Sequence, residues 1–444
     1  MAAGSVFDMT STSDPALDRT AHLTRDLIRF DSSNYGDGKS NGETEAAQYV
    51  EAELSALGLK PQLFDAAPGR TSVVARVEGA NPDAPALVVH GHLDVVPAIA
   101  EDWSVDPFGG EIKDGMIWGR GAVDMKNMDA MILSALGEIL GSGRQPARDL
   151  VVAFFADEEA GGVLGSHYMV DEHPELFDGA TEAISEVGGY SIDLAGQRAY
   201  LVQTGEKALI WIKLIARGRA GHGSQINSEN AITRLAGAVA RIGSQEWPVR
   251  LTKTTRQLLD RVAGILGQDP QQVSAEELAV ATGTASRFIS ATLRATTNPT
   301  MLDAGYKVNV IPDRAEARMD VRVLPGDEVE VMARIRELAG PDVEVVVMHE
   351  DIGLETAFEG ALVDQMIDSL NRFDPGAEVL PYLLSAGTDN KALSMLGIRG
   401  YGFAPLRLPA DLDFPALFHG VDERVPLDAL VFGTDVLTDL LLRY

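Results

Sequence analysis

The chain has 444 residues, 45% of them hydrophobic, and at roughly 150 residues per domain this length predicts two domains or three. Lys and Arg number 37 against 66 Asp and Glu, and the resulting formal charge of -29 makes nucleic acids and anionic membrane surfaces poor candidate partners. No cysteine is present, which excludes disulfides, thiolate nucleophiles and cysteine-ligated metal sites, so any metal must be bound by carboxylates and imidazoles.

The first third of the chain alternates helix and strand signals. Apolar residues recur at helical spacing in Pro15–Phe30, Glu43–Leu57 and Ala130–Leu140. Runs that are apolar nearly throughout, as in strands covered on both faces, occur at Thr71–Val77, Ala86–Val96 and Leu150–Ala156. Because a helix separates the last two strands, the order predicts an α/β fold with a mainly parallel sheet.

The pattern changes at about residue 206. A long apolar strand is expected at 208–216 and an amphipathic helix at 230–242. Residues 315–323 alternate strictly between apolar and charged, which is typical of a strand with one buried and one solvated face in an antiparallel sheet. We therefore expect an inserted α+β domain at 206–350. The other domain would consist of residues 1–205 and 351–444. Helices are expected in its second part at 361–371, 391–396 and 427–442.

The N-terminal residues lack the basic and apolar regions of a signal peptide, and no run of about 18 apolar residues occurs. A cytoplasmic location is therefore expected.

Three segments carry residues suited to chemistry. In the first, His92 and Asp94 follow an apolar strand, and their i, i+2 spacing lets the carboxylate contact the imidazole, as beside a metal-binding histidine. The alternative is a pair of polar residues at a strand end. The second is a glycine-rich turn that places Asp124 ahead of a helix, although such turns are commonly only turns.

The third segment is Asp157-Glu158-Glu159, directly after a buried strand. Three adjacent carboxylates repel one another unless a cation lies nearby, and the alternative is a solvated acidic loop. With a metal present, one glutamate can bind the ion while the other takes a proton from water. Glu186, after another apolar run, and His419, near the C-terminus, are further candidate ligands that would each be unremarkable alone.

The series GHLDVVP, GRGAVDMK, ADEEAGG, SEVGG, AGHGS, NVIPD with DVRVLPG, GTDN and HGVDE, in that order, resembles the co-catalytic zinc exopeptidase family. This family includes carboxypeptidase G, aminoacylase, acetylornithine deacetylase and succinyl-diaminopimelate desuccinylase. Each motif is modest, but the ordered set spans essentially the whole chain. The resemblance implies a catalytic domain with an inserted lid or dimerisation domain at 206–350, a homodimer, and two Zn²⁺ ions that Co²⁺ or Mn²⁺ could replace.

The resemblance also implies roles for single residues. His92 and Glu186 would bind one ion, His419 and Glu159 the other, and Asp124 would bridge them. Glu158 would be the general base, Asp94 the partner of His92, and His222 the donor to the developing oxyanion, often supplied by the partner subunit. Asn309, Arg322, Gly387 and Thr388 would contact the substrate, Arg322 through its carboxylate. Periodicity alone favours a different state for Arg322, in which it is solvated and paired with Asp320.

The implied activity is hydrolysis of the amide bond of an N-acyl amino acid or short peptide that bears a free carboxylate. A dipeptidase or carboxypeptidase of the same family is the main alternative, and a catalytically inactive metal-binding relative is a further one. Asn127, Val187, Ala386 and Asn390 depart from the usual family motifs. None of them replaces a proposed ligand, so these departures bear on substrate preference.

Overall fold

The computed structural model describes residues 18–36 and 38–444. Within them the helices are α1 (Arg19–Ile28), α2 (Thr44–Ala56), α3 (Lys126–Gly141), α4 (Ser166–Glu172), α5 (Ala231–Gly243), α6 (Lys253–Ile265), α7 (Ala275–Val280), α8 (Ser286–Ala291), α9 (Glu328–Ala339), α10 (Ala361–Phe373), α11 (Asn390–Ser394) and α12 (Leu427–Arg443). None of these helices is both long and apolar enough to cross a bilayer. The first three residues of the helix expected at 15–30 lie outside the described residues.

The strands of the same residues are β1 (Asn34–Gly36), β2 (Lys39–Ser40), β3 (Gln62–Ala67), β4 (Arg70–Val77), β5 (Ala86–His92), β6 (Glu111–Lys113), β7 (Met116–Trp118), β8 (Leu150–Phe155), β9 (Ala180–Ser185), β10 (Tyr190–Leu194), β11 (Gln197–Glu206), β12 (Ala208–Arg217), β13 (Gly221–His222), β14 (Thr296–Ala304), β15 (Val310–Ile311), β16 (Arg314–Val323), β17 (Val343–Asp351), β18 (Leu354–Glu355), β19 (Glu378–Leu384), β20 (Arg399–Gly402) and β21 (Arg424–Pro426).

The described chain forms two compact units. The first runs to Tyr168 and includes Pro405–Arg407 and Ala416–Tyr444, whereas the second comprises Met169–Ala404 and Leu408–Pro415. The fold class is α/β, as predicted. These units have other boundaries than the domains predicted at 205 and 350, and that division stays a prediction.

In the first unit, strands β3, β4, β8 and β5 lie side by side in that order. β5 and β8 run parallel, as expected, while β3 and β4 are antiparallel, so these strands form a mixed sheet. Helix α3 packs against α1 and α12, and all of its residues from Lys126 to Leu136 are buried, the polar ones included. Since β5 and β8 are parallel and His92 pairs with Phe155, their carboxyl ends meet at one edge.

In the second unit, β11 pairs with β10, β18 and β19, and β9 pairs with β20. Residues 208–351 contribute a separate antiparallel sheet in the order β14-β16-β12-β17. One face of this sheet forms a hydrophobic core with α5 and α9. The alternation expected in β16 is confirmed, because its apolar residues are buried and its charged residues are at least partly exposed.

Candidate metal centre and active site

His92 ends β5 with its imidazole held between two sets of carboxylates. Its Nδ1 lies 3.0 Å from the main-chain oxygen of Asp94 and 3.5 Å from the Asp94 carboxylate. Its Nε2 points the other way, 3.2 Å from Asp124 and 3.8 Å from Glu158. The Asp94 contacts place a proton on Nδ1 and leave the Nε2 lone pair for a metal, which is the arrangement expected of a supported histidine ligand.

Asp94 also fixes the turn that follows β8. Its two carboxylate oxygens each accept a main-chain N–H at 3.1 Å, one from Glu158 and one from Glu159. Burial raises the pKa of Asp94, but hydrogen bonds from His92, Asn34 and this turn outweigh burial and hold the pKa below its ordinary value. A single buried carboxylate therefore positions two candidate ligands, His92 and Glu159, and the candidate base Glu158.

A network behind Asp94 supports the same turn. The amide of Asn34 donates to Asp94 at 2.9 Å and to Asp157 at 3.1 Å. The buried guanidinium of Arg70 pairs with Glu43 and, at 3.2 Å, with Asp157. Asp157, the first of the three adjacent carboxylates, is thus held by an arginine and an asparagine.

The loop that carries Asp124 is held by Glu423. This buried carboxylate accepts the main-chain N–H groups of Val123 at 2.6 Å, Asp124 at 3.0 Å and Gly121 at 3.1 Å. It also accepts from Arg120 at 2.7 Å. The glycine-rich turn is therefore folded around a carboxylate that lies about 300 positions further along the chain.

Asp124, Glu159 and His419 meet in one cluster. Nε2 of His419 lies 3.1 Å from an oxygen of Asp124 and 3.1 Å from an oxygen of Glu159. Each of the three residues offers a ligand atom within 4.8 Å of the other two. His419 has a positive φ of 57°, a conformation that non-glycine residues adopt mainly where the surroundings impose it.

The cluster requires positive charge. Burial raises the pKa of Glu159, and the neighbouring charge of Asp124 raises it further. For Asp124, burial also raises the pKa, but hydrogen bonds with His419 and His92 bring it well below its ordinary value. Burial lowers the pKa of His419, yet its two carboxylate partners raise it to about 11, although the side chain is 54% exposed. Two carboxylates with a neutral imidazole form a donor set suited to Zn²⁺, and a bound cation would replace the proton that the carboxylates hold on His419.

Glu186 belongs to the second unit. It is buried and follows β9, at the start of a turn in which Val187 has a φ of 56°. The hydroxyl of Tyr382 donates to the main-chain oxygen of Val187. This contact anchors the turn, and the place of Glu186 in a ligand set with His92 stays a prediction.

His222 and Asn309 lie together in the second unit. β13 pairs His222 with Val310, and the N–H of Gly223 donates to the main-chain oxygen of Asn309 at 2.9 Å. The N–H of Ser224 donates to Nδ1 of His222 at 3.3 Å. This contact assigns the proton of a neutral His222 to Nε2, so the exposed edge of the ring is a hydrogen-bond donor.

Arg322 lies on the solvated face of β16 and forms a bidentate ion pair with Asp320. Its Nε and Nη2 donate to the two carboxylate oxygens at 2.8 and 3.0 Å. The pairing that periodicity favoured is therefore present. The predicted contact of Arg322 with a substrate carboxylate stays a prediction.

Gly387 and Thr388 form a loop fixed by buried charges. Thr388 donates its N–H and its hydroxyl to Glu206 at 2.9 and 2.6 Å. The buried ammonium of Lys391 donates to the main-chain oxygen of Lys207 at 3.0 Å. A Cβ on Gly387 would lie 2.8 Å from the Lys391 nitrogen, so the glycine permits the lysine to approach the loop.

Comparison with known proteins gives the family. Residues 88–443 match peptidase family M20/M25/M40. The chain belongs to this family. It is 27% identical over 417 residues to aminoacylase-1 from Sus scrofa, and the match covers 89% of each chain. It is 30% identical over 390 residues to probable carboxypeptidase S-like 2 from Dictyostelium discoideum, and that match covers 80% of this chain and 71% of the relative. The M20 metallo-carboxypeptidase Sso-CP2 from Sulfolobus solfataricus has the same fold, with a TM-score of 0.75, 19% identity and coverage of 96% and 99%.

Membership of the M20/M25/M40 family confirms the resemblance and makes the protein an enzyme of the metallopeptidase type. Within the first unit, the predicted residues His92, Asp94, Asp124, Glu158, Glu159 and His419 are brought together. Their individual roles, and those of the second-unit residues, stay predictions.

Several supporting residues of this M20/M25/M40 member were missed from the sequence: Asn34, Glu43, Arg70, Glu206, Lys391 and Glu423. Only two of them had a signal. Glu423 ends the HGVDE motif and Lys391 follows GTDN, so both lie next to recognised residues. The others make their contacts across long stretches of chain and have no distinctive local pattern.

Proposed function

We propose that this protein hydrolyses the amide bond of an N-acyl amino acid or short peptide with a free carboxylate. The convergence of Asp124, Glu159 and His419 in an enzyme of the M20/M25/M40 family is the observation that carries the proposal. The named aminoacylase relative supports an N-acyl amino acid as substrate. A dipeptidase or carboxypeptidase activity is the second candidate, favoured by the relative named as a probable carboxypeptidase.

Two ions would be bound by the residues of this chain. Asp124 would contribute to both sites, with Glu159 and His419 at one and His92 and Glu186 at the other. When bound, Zn²⁺ supplies Lewis acidity that activates water and polarises the scissile carbonyl, and Co²⁺ or Mn²⁺ could replace it.

Glu158 is the proposed general base. It lies 3.8 Å from Nε2 of His92, and its side chain is partly accessible to solvent. From this position beside a proposed metal ligand, its carboxylate could take a proton from the attacking water. The same carboxyl group would then give that proton to the departing amine nitrogen.

The second unit would supply the substrate contacts. His222, with its proton on Nε2, can donate to the oxyanion that develops on the scissile carbonyl. Asn309, Arg322, Gly387 and Thr388 would contact the substrate. Arg322 would bind the free carboxylate through a charge-assisted fork, which is why the proposed substrate carries one.

Metal analysis combined with a substrate panel tests this proposal. The panel contains N-acetyl, N-succinyl and long-chain acyl amino acids beside dipeptides, each assayed with and without added Zn²⁺. Metal-dependent release of the amino acid from an acyl substrate supports the first candidate, whereas cleavage confined to dipeptides supports the second. Turnover that does not depend on metal would refute both.

We also propose a homodimer formed through residues 206–350. β14 lies at an edge of the antiparallel sheet and exposes Met301 and Leu302, at 57% and 65%. Light scattering should report a dimer that Leu302→Lys dissociates, whereas Val347→Lys on the opposite edge strand should not. A monomeric wild-type protein would refute this proposal. The cytoplasmic location stays a prediction.

A further inference from the structure

Asp320 binds only one edge of the Arg322 guanidinium, the edge formed by Nε and Nη2. Nε and Nη2 donate to Oδ1 and Oδ2 of Asp320 at 2.8 and 3.0 Å. A guanidinium carries five N–H groups, and this side-on fork uses two of them. The remaining three point from Nη1 and the outer side of Nη2, where a second carboxylate can be bound end-on.

Asp320 is itself fixed by its neighbours across the sheet. Trp211 is its partner in the β12–β16 register, and the indole Nε1 donates to Oδ2 of Asp320 at 3.1 Å. His349 is the partner of Trp211 on β17, and the two rings lie 5.1 Å apart. Asp320, Trp211 and His349 thus form one row across three strands, which restricts the rotamers open to the aspartate.

The pair keeps contact with solvent and lies near the amino group of Lys207. The side chains of Arg322 and Asp320 are 24% and 25% exposed, so a small molecule can approach them. Lys207 is buried nearby and donates to the main-chain oxygen of Arg294 at 2.6 Å. Burial and the charge of Arg322 lower the pKa of Lys207 to about 7. Lys207 is therefore only partly protonated near neutral pH, and Arg322 supplies most of the positive charge that an anion would meet.

We propose that Asp320, braced by Trp211, is a positioning residue that holds Arg322 by its side edge and presents the outer edge to the substrate carboxylate. This inference rests on the proposed function, which gives Arg322 that carboxylate. The opposite expectation is that Asp320 competes with the substrate for the same guanidinium. The two differ in sign, because removing a competitor lowers KM whereas removing a support raises it.

The test uses steady-state kinetics on an N-acetyl amino acid and on the C-terminal amide of the same compound. Asp320→Asn should raise KM for the carboxylate substrate about tenfold, leave kcat within about twofold and leave the amide unaffected, since a disordered guanidinium weakens binding alone. Trp211→Phe, which removes the N–H donor together with part of the indole ring, should have the same effect at about threefold. Glu344→Gln, on the exposed part of β17 at the opposite edge of the sheet, is the control and should match the wild type.

The Arg322→Ala background separates the inference from the proposed function. There Asp320→Asn should add nothing. If Arg322→Ala leaves the preference for the carboxylate substrate intact, the proposed recognition fails and the inference fails with it. If Arg322→Ala abolishes the preference but Asp320→Asn lowers KM, leaves it unchanged, or impairs both substrates equally, only the positioning role is overturned.

Discussion

The substitution Glu423→Gln tests how the loop of Asp124 is held. In the structure the Glu423 carboxylate is fully buried and accepts four hydrogen bonds, three from main-chain N–H groups of residues 121–124 and one from Arg120. Glutamine keeps one acceptor oxygen and replaces the other with an NH₂ group that faces two donors. Two hydrogen bonds are therefore lost, and a buried guanidinium loses its counter-charge.

The magnitude follows from those two losses. A buried donor left without an acceptor costs about 1–3 kcal/mol, which gives about 2–6 kcal/mol for the pair. Burial raises the pKa of Glu423 to about 7 despite the nearby Arg120, so ionisation of the carboxylate is itself costly and the lower half of the range applies. We expect a loss of about 3 kcal/mol in the unfolding free energy of the first unit.

Urea unfolding and zinc titration measure the effect of Glu423→Gln. The midpoint should fall, and zinc affinity should fall by about 10–100-fold because the Asp124 loop loses its support. Glu78→Gln, an exposed position on the same unit, is the control and should lie within about 0.5 kcal/mol of the wild type. Wild-type stability and zinc affinity in the Glu423 variant would refute the reasoning.

Three further predictions concern charge. Removing metal with a chelator should lower the melting temperature and restoring Zn²⁺ should recover it, because the acidic cluster loses its cation; an unchanged melting curve would contradict a metal centre. Arg70→Met should cost about 3–5 kcal/mol in urea unfolding, since it leaves the buried carboxyl groups of Glu43 and Asp157 without their cation, and a cost near zero would exclude Arg70 as their counter-charge. The pKa of Lys207 is about 7 in the folded protein and ordinarily 10.5, so between these pH values the unfolded state binds more protons than the folded state. From pH 7 to 9 the wild type should therefore gain unfolding free energy relative to Lys207→Met. Curves of unfolding free energy against pH that run parallel for the two proteins would count against this.

Helices and strands could be predicted from the sequence where a single physical rule determines their pattern of apolar residues. Strict alternation over 315–323 fixed both the strand and its buried face. His92 and the Glu158–Glu159 pair could be placed together because both follow apolar runs, and parallel strands bring their carboxyl ends to one edge. Strand direction had no such signal, so the antiparallel β3 and β4 were not foreseen.

The supporting network could not be predicted because its contacts are not local. Arg70 reaches Glu43 and Asp157, which are 27 positions before it and 87 after it, and no periodicity reports such a meeting. Glu423 and its neighbour Asp422 both carry a carboxylate, and which of them contacts the Asp124 loop depends on the folded backbone. For Arg322, periodicity indicated the solvated face and the pairing with Asp320, and both are present.

The role of Glu158 is the most direct test of the account. Glu158→Gln should be compared with the wild type for metal content per chain and for kcat on the best substrate of the panel. We expect unchanged metal content with kcat reduced by about 10²–10⁴, because the amide keeps the shape of the side chain but cannot take a proton. A variant that retains both its metal and wild-type turnover would contradict the assignment of the base.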